Sequence, residues 1–184
     1  MIKSGSGKVI IVVFIGLVLL ASYFISYSYI NKLDHSRLCT LEKLQTVAST
    51  LAVSVNGNDH QQLMDEYHSK DGPGAGNESM LYAEIQSQLQ DVHDANELTS
   101  PIHTLIREGD QLFFGATSEA NPNFRHEYTN PPAELLEHFQ IGGLIEEYED
   151  DHGTWLSAFA PIKNSKGEAC AIVHVKMPFD DFRI

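Results

Sequence analysis

The sequence predicts an α+β protein carried on an N-terminal transmembrane helix. Three observations lead there. Residues 9–30, VIIVVFIGLVLLASYFISYSYI, contain no charged side chain. Beyond them a helical apolar stripe continues through Leu41, Leu44, Ala48, Leu51 and Val55. Past Pro101 the apolar period falls from 3.6 residues to 2, the change that separates helices from strands.

Residues 1–8 form a short tail with Lys3 and Lys8, expected in the cytoplasm. At about 1.5 Å per residue, residues 9–30 span a hydrocarbon core of about 30 Å. Tyr23, Tyr27 and Tyr29 gather at the far end, as an interfacial aromatic belt does. A cleaved signal peptide competes with this reading. The run is long for one, and no small-x-small site follows it cleanly, so a retained anchor is expected. Lys32, Arg37 and Lys43 nearly balance the cations on the other side. Orientation therefore rests on the short tail and the large acidic domain, which together fit an anchor in the inner membrane with the domain in the periplasm or extracellular space.

Residues 31–57 extend the membrane helix into a juxtamembrane helix that stops at Asn56-Gly57. The 3-4 spacing of its stripe suits packing on its own domain or the seam of a parallel homodimer, in which Cys39 could meet its twin. Residues 58–178 carry the folded domain. It opens with a short helix N-capped by Asp59, a Gly/Pro-rich loop KDGPGAGNES, and a helix bearing Leu81, Ile85, Leu89 and Val92. Two strands follow around EGDQ. After a polar loop, residues 120–132, and the short helix PAELLEHFQ come three more strands, GLIEEYEDDHG, TWLSAFAPIKN and EACAIVHVKM. About five strands joined mostly by short turns imply an antiparallel sheet with segregated helices. Residues 179–184 are a tail expected to lead toward a second membrane segment.

Composition narrows the function. Of the 184 residues, 42% are apolar, enough for a packed core, and the net charge of −13 opposes binding to nucleic acid. Cys39 and Cys170 form no CxxC pair, and neither an intrachain disulfide nor a cofactor is expected. Nine histidines include His126 beside Glu127, His138 and His152, but no HExxH or other ligand spacing, so no metal site is expected. EEYEDDH reads as a solvated acidic turn. No GxSxG, P-loop or cysteine with a histidine partner is present, and the segment is not expected to be an enzyme.

The long membrane-proximal helix, VASTLAVSVNGNDHQQL, IHTL and finally DDHGTWLSAFAPIKNSKGEACAIVHV make the chain resemble the single Cache sensor domains of bacterial receptors, over roughly residues 33–178. The sharpest match is the pattern of Asp150, Gly153, Trp155, Ser157, Ala160, Pro161, Ile162, Asn164, Ser165 and Gly167. The resemblance implies a PAS-like fold, a small-molecule pocket on one sheet face, and signalling by helix movement to an output such as a histidine kinase, nucleotide cyclase or chemoreceptor. Two departures stand out: Gly115 replaces an acidic residue that relatives often carry, and His174-Val175-Lys176 replaces Gly-x-Asp.

Strand alternation predicts the pocket's lining. His103, Leu105 and Arg107 share one face of their strand; Trp155, Ser157 and Phe159 share one; Cys170, Ile172, His174 and Lys176 share one, leaving Ala171, Val173 and Val175 to pack on the long helix. If the polar faces coincide, His103, Arg107, Phe114, Trp155, Ser157, His174 and Lys176 converge, with Tyr128 and Arg125 closing over them. A basic cluster with an aromatic wall suits a small anionic ligand such as a carboxylate. The alternative is an anchored accessory or structural protein that uses the same fold to bind a protein partner.

Overall fold

A computed structural model of the chain describes residues 4–68, 72, 79–120, 123–150 and 153–179. Residues 1–3, Ser69 and most of the KDGPGAGNES loop, Asn121, Pro122, Asp151, His152 and the tail from 180 to 184 lie outside the described residues. The chain divides into two compact units, Met1–Cys39 and Thr40–Ile184.

One helix, α1 (Ser4–Ser54), runs from the first unit into the second. Its N-terminal part is apolar enough, and the helix long enough, to cross a membrane. In the second unit α1 is followed by α2 (Gly57–Glu66) and α3 (Met80–Ala95), then β1 (His103–Glu108), β2 (Gln111–Thr117), α4 (Ala133–Glu137), β3 (Gly143–Asp150), β4 (Gly153–Lys163) and β5 (Ala169–Pro178). The five strands form one antiparallel sheet in the order β2-β1-β5-β4-β3. The α+β architecture and the strand number agree with the sequence pattern.

The expected cap of α2 moves. Asn56 rather than Asp59 begins the helix, its side chain accepting from Asn58 N at 3.0 Å, and Asp59 lies within the first turn, where its charge meets the helix dipole. Ser79 caps α3 in the same way. Gly57 is fixed by a close approach, since a Cβ there would lie 2.2 Å from Lys163 O.

Each sheet face has its own core. On the first face Ala158, Ala160, Ile162, Ala171, Val173 and Val175 pack with Leu41, Leu44, Ala48, Leu51 and Val55 of α1 and with Leu63, Ile85 and Leu89 of α2 and α3. The α1 stripe thus packs on its own domain, and the small β5 residues lie on the helix side, as the alternation implies. On the second face Leu105, Leu112, Ile145, Phe159 and Ile172 pack with Leu135 and Phe139 around α4 and with Tyr128. This second core covers only part of its face, and the rest is polar.

Candidate functional site

The polar part of the second face is assembled by register. His103 of β1 lies directly opposite His174 of β5, and His174 opposite Phe159 of β4. Ser157 pairs with Lys176, and Trp155 pairs with Tyr148 of β3. Two bulges complete the arrangement. Ser157 and Trp155 are two residues apart on β4, yet their partners Ile145 and Tyr148 are three apart on β3. The extra residue turns Ile145, Tyr148 and Asp150 to the same side. On β2 a similar shift puts both Phe114 and Thr117 opposite the His103–Leu105 side of β1. Gly115 lies in that irregular stretch. A Cβ there would lie 2.4 Å from Thr104 Oγ1 and 3.3 Å from His60 Nε2, so on this backbone an acidic side chain would meet the helix-side core.

Tyr128 comes from the loop after β2, which zips onto that strand's edge. Tyr128 N donates to Leu112 O, Phe114 N to His126 O, and Arg125 N to Phe114 O. The Phe114 ring then lies between His103, 5.0 Å away, and Tyr128, 5.2 Å away. Tyr128 and Tyr148 flank His174 at 6.2 and 6.4 Å, and the Tyr148 hydroxyl is 3.4 Å from His174 Nε2.

At the other end of the cluster lies Asp150, whose side chain is only 1% exposed. Trp155 Nε1 donates to Oδ1 at 2.7 Å, Tyr128 OH to Oδ2 at 3.0 Å, and Lys176 Nζ to Oδ2 at 3.3 Å. The Lys176 ammonium also stands 3.9 Å over the Trp155 ring. Both carboxylate oxygens are therefore engaged, by donors from three segments of chain.

Burial sets the charge state. It pushes the His103 and His174 pKa values from 6.5 down to about 3, with Lys176 adding to the effect on each and Asp150 opposing it on His174. Both imidazoles are neutral at pH 7. Burial also lowers the Lys176 pKa, against the pull of the Asp150 carboxylate, and raises those of Tyr128 and Tyr148. The cluster holds one buried cation and one buried anion. His103 Nδ1 is buried with no hydrogen-bond partner among the described residues, and Ser157 Oγ, equally buried, has only the nearby Tyr148 hydroxyl. Orphaned polar atoms in a folded interior cost about 1–3 kcal/mol each, so they need a reason.

The structure brings His103, Phe114, Tyr128, Trp155, Ser157, His174 and Lys176 onto one face. Arg107 and Arg125 are placed elsewhere. Arg107, at the far end of β1, donates to Gly109 O and Leu136 O and reaches Asp110. Arg125 donates to Tyr67 O and Met64 O and pairs with Glu108, on the α2 side. Asp150 corrects the reading of EEYEDDH as a solvated turn, and Tyr148 joins it. The signal for Asp150 was present in the DxxGxW spacing: Asp150 pairs with Gly153 across β3 and β4, and the Trp155 indole two residues on meets the carboxylate. Among the described residues no group of three or more His, Cys, Asp or Glu is arranged to hold a metal.

No family model matches the chain, and no curated protein matches it. Among solved structures it is similar to the sensor domain of E. coli DcuS, with a TM-score of 0.55 at 15% identity, over 81% of this chain and 96% of that one. It is also similar to the extracellular domain of the putative histidine kinase mmHK1S-Z2, with a TM-score of 0.47 at 13% identity over 82% of this chain and 58% of that one. A third similar structure is the sensory domain of the Campylobacter jejuni chemoreceptor Tlp3 with isoleucine bound, with a TM-score of 0.40 at 13% identity over 83% and 63%. The chain spans less than two thirds of these last two. The likeness to the DcuS domain shows the fold, a PAS-like α+β architecture, which is the fold the motif of residues 150–167 implied.

Proposed function

We propose that the chain is the sensory module of a membrane receptor, with residues 58–178 binding a small anionic ligand on the polar half of the second sheet face. The observation that carries this reading is the buried cluster itself. A packed core has little use for an indole, two neutral imidazoles and a buried ion pair gathered on one patch with an unsatisfied His103 Nδ1. A sensing site does, because a ligand can satisfy what the protein leaves open. The sensor fold of the DcuS domain supports the same reading.

The membrane topology follows: residues 9–30 span the inner membrane, residues 1–8 face the cytoplasm, and residues 31–57 carry the signal from a periplasmic or extracellular domain. A parallel homodimer would align the two copies of α1, on which Cys39 is exposed. Oxidation of the full chain in membranes should cross-link it through Cys39, and Cys39→Ser should abolish the product.

The ligand test is thermal unfolding of the full chain in lipid nanodiscs against mono- and dicarboxylates, with amino acids alongside. A carboxylate should raise Tm in the wild type and not in His103→Ala or Ser157→Ala. No response to any metabolite would favour the anchored accessory protein instead.

A further inference from the structure

We infer that Asp150 is a tethered occupant of a carboxylate cage, and that the ligand's carboxylate binds by taking its place. This rests on the sensory reading above and says how that site is filled and emptied. Trp155 Nε1, Tyr128 OH and Lys176 Nζ converge on the two oxygens of one carboxylate. They come from β4, the loop after β2, and β5, so the receptor is built by the sheet rather than by the segment that carries the acid. Further along the same face lies His103 Nδ1, buried and without a hydrogen-bond partner among the described residues, with the Ser157 hydroxyl between them in register, placed to meet further polar atoms of a larger molecule.

Charge balance selects displacement over addition. The cluster already pairs Lys176 with Asp150. A second anion entering beside Asp150 would bury an uncompensated charge. Two routes avoid that: a histidine takes up a proton, or Asp150 leaves. Both histidines resist protonation, because each is buried and faces the Lys176 ammonium. Around His174 the other polar groups are Tyr128, Tyr148 and His103, none of them anionic, with Asp150 the one opposing carboxylate. Asp150 is the last residue of β3, an edge strand whose one strand neighbour among the described residues is β4. Rotation of its side chain toward solvent breaks no other strand pairing. Exchange of one carboxylate for another leaves the buried charge unchanged, and it couples ligand entry to release of the end of β3.

Tethering gives Asp150 a high effective concentration, so a simple carboxylate cannot compete with it. Removing the tethered group should expose the cage. The test is thermal unfolding of the full chain in nanodiscs, with Asp150→Ala and Asp150→Ser, in 0–100 mM sodium formate or acetate against sodium chloride at equal ionic strength. Both variants should show a saturable Tm increase of about 3–5 °C in formate. Wild type and Asp150→Asn should show none, and adding Trp155→Phe to Asp150→Ala should remove most of the response. A flat response in folded Asp150→Ser or Asp150→Ala overturns the inference, as does an equal response in the wild type. Failure of every metabolite to stabilise the wild type would instead remove the sensory reading, leaving the formate result as it stands.

Discussion

The two faces of the sheet are buried to similar depth and built from opposite chemistry. Beneath α1, β4 and β5 present Ala158, Ala160, Ala171, Val173 and Val175, and every one is buried. On the other face the same two strands present Trp155, Ser157, His174 and Lys176. One strand thus alternates between residues that gain by leaving water and residues that lose by it. Burial of an apolar side chain contributes about 1.5–3 kcal/mol, whereas burial of an unsatisfied polar group costs about 1–3 kcal/mol. The helix face holds the fold; the polar face is carried by it.

The largest effect is expected from acid. His103 and His174 on the polar face, and His60 beneath the helices with a folded pKa of about 4, are buried neutral. Their folded pKa values lie below 6.5, so the unfolded chain protonates first as pH falls. Stability is full above pH 6.5 and drains toward the folded pKa values. Each histidine contributes a loss of about 1.4 kcal/mol per pH unit, and three together lose about 10 kcal/mol by about pH 4, comparable to the whole stability of an ordinary domain. Chemical denaturation at stepped pH should show this slope. Changing both His103 and His174 to Gln should remove two of its three parts and leave that of His60.

Next comes the ion pair. Lys176→Met leaves the Asp150 carboxylate, 1% exposed, without its cation and should cost about 3–5 kcal/mol. The double variant Lys176→Met/Asp150→Asn should recover most of that loss, because a neutral pair needs no compensation. On the helix face Leu51→Ala should cost about 2–5 kcal/mol while leaving any ligand-induced shift intact. The smallest effect is Gly115→Ala, whose methyl meets Thr104 and His60 and should cost about 1–3 kcal/mol. Urea titrations of the full chain measure all three.

The helix face was legible in the sequence because its periods are regular. The 3-4 stripe of α1 and the alternation of β5 each predict a surface, and the surfaces meet. The polar face was half legible. His103, Trp155, Ser157 and His174 lie on strands whose alternation is undisturbed around them. Asp150 and Tyr148 were lost to the bulge after Ile145: strict alternation along GLIEEYED puts them opposite Ile145, and one inserted residue reverses that. Alternation also gives the side of a residue and not its height along the strand. Arg107 is four residues from His103, far enough for its guanidinium to reach the Leu136 carbonyl by α4. Arg125 turns away at a positive φ of 55°, a backbone choice that residue type alone does not reveal.

The most direct test of the central claim is to make the polar face apolar. His103→Leu/His174→Leu in the full chain should retain or raise the Tm, since among the described residues His103 Nδ1 is unsatisfied and His174 makes only a 3.4 Å contact with the Tyr148 hydroxyl, and should abolish stabilisation by whichever carboxylate stabilises the wild type. A large loss of Tm together with an unchanged ligand response would show that the histidines hold the sheet together and that the ligand binds elsewhere.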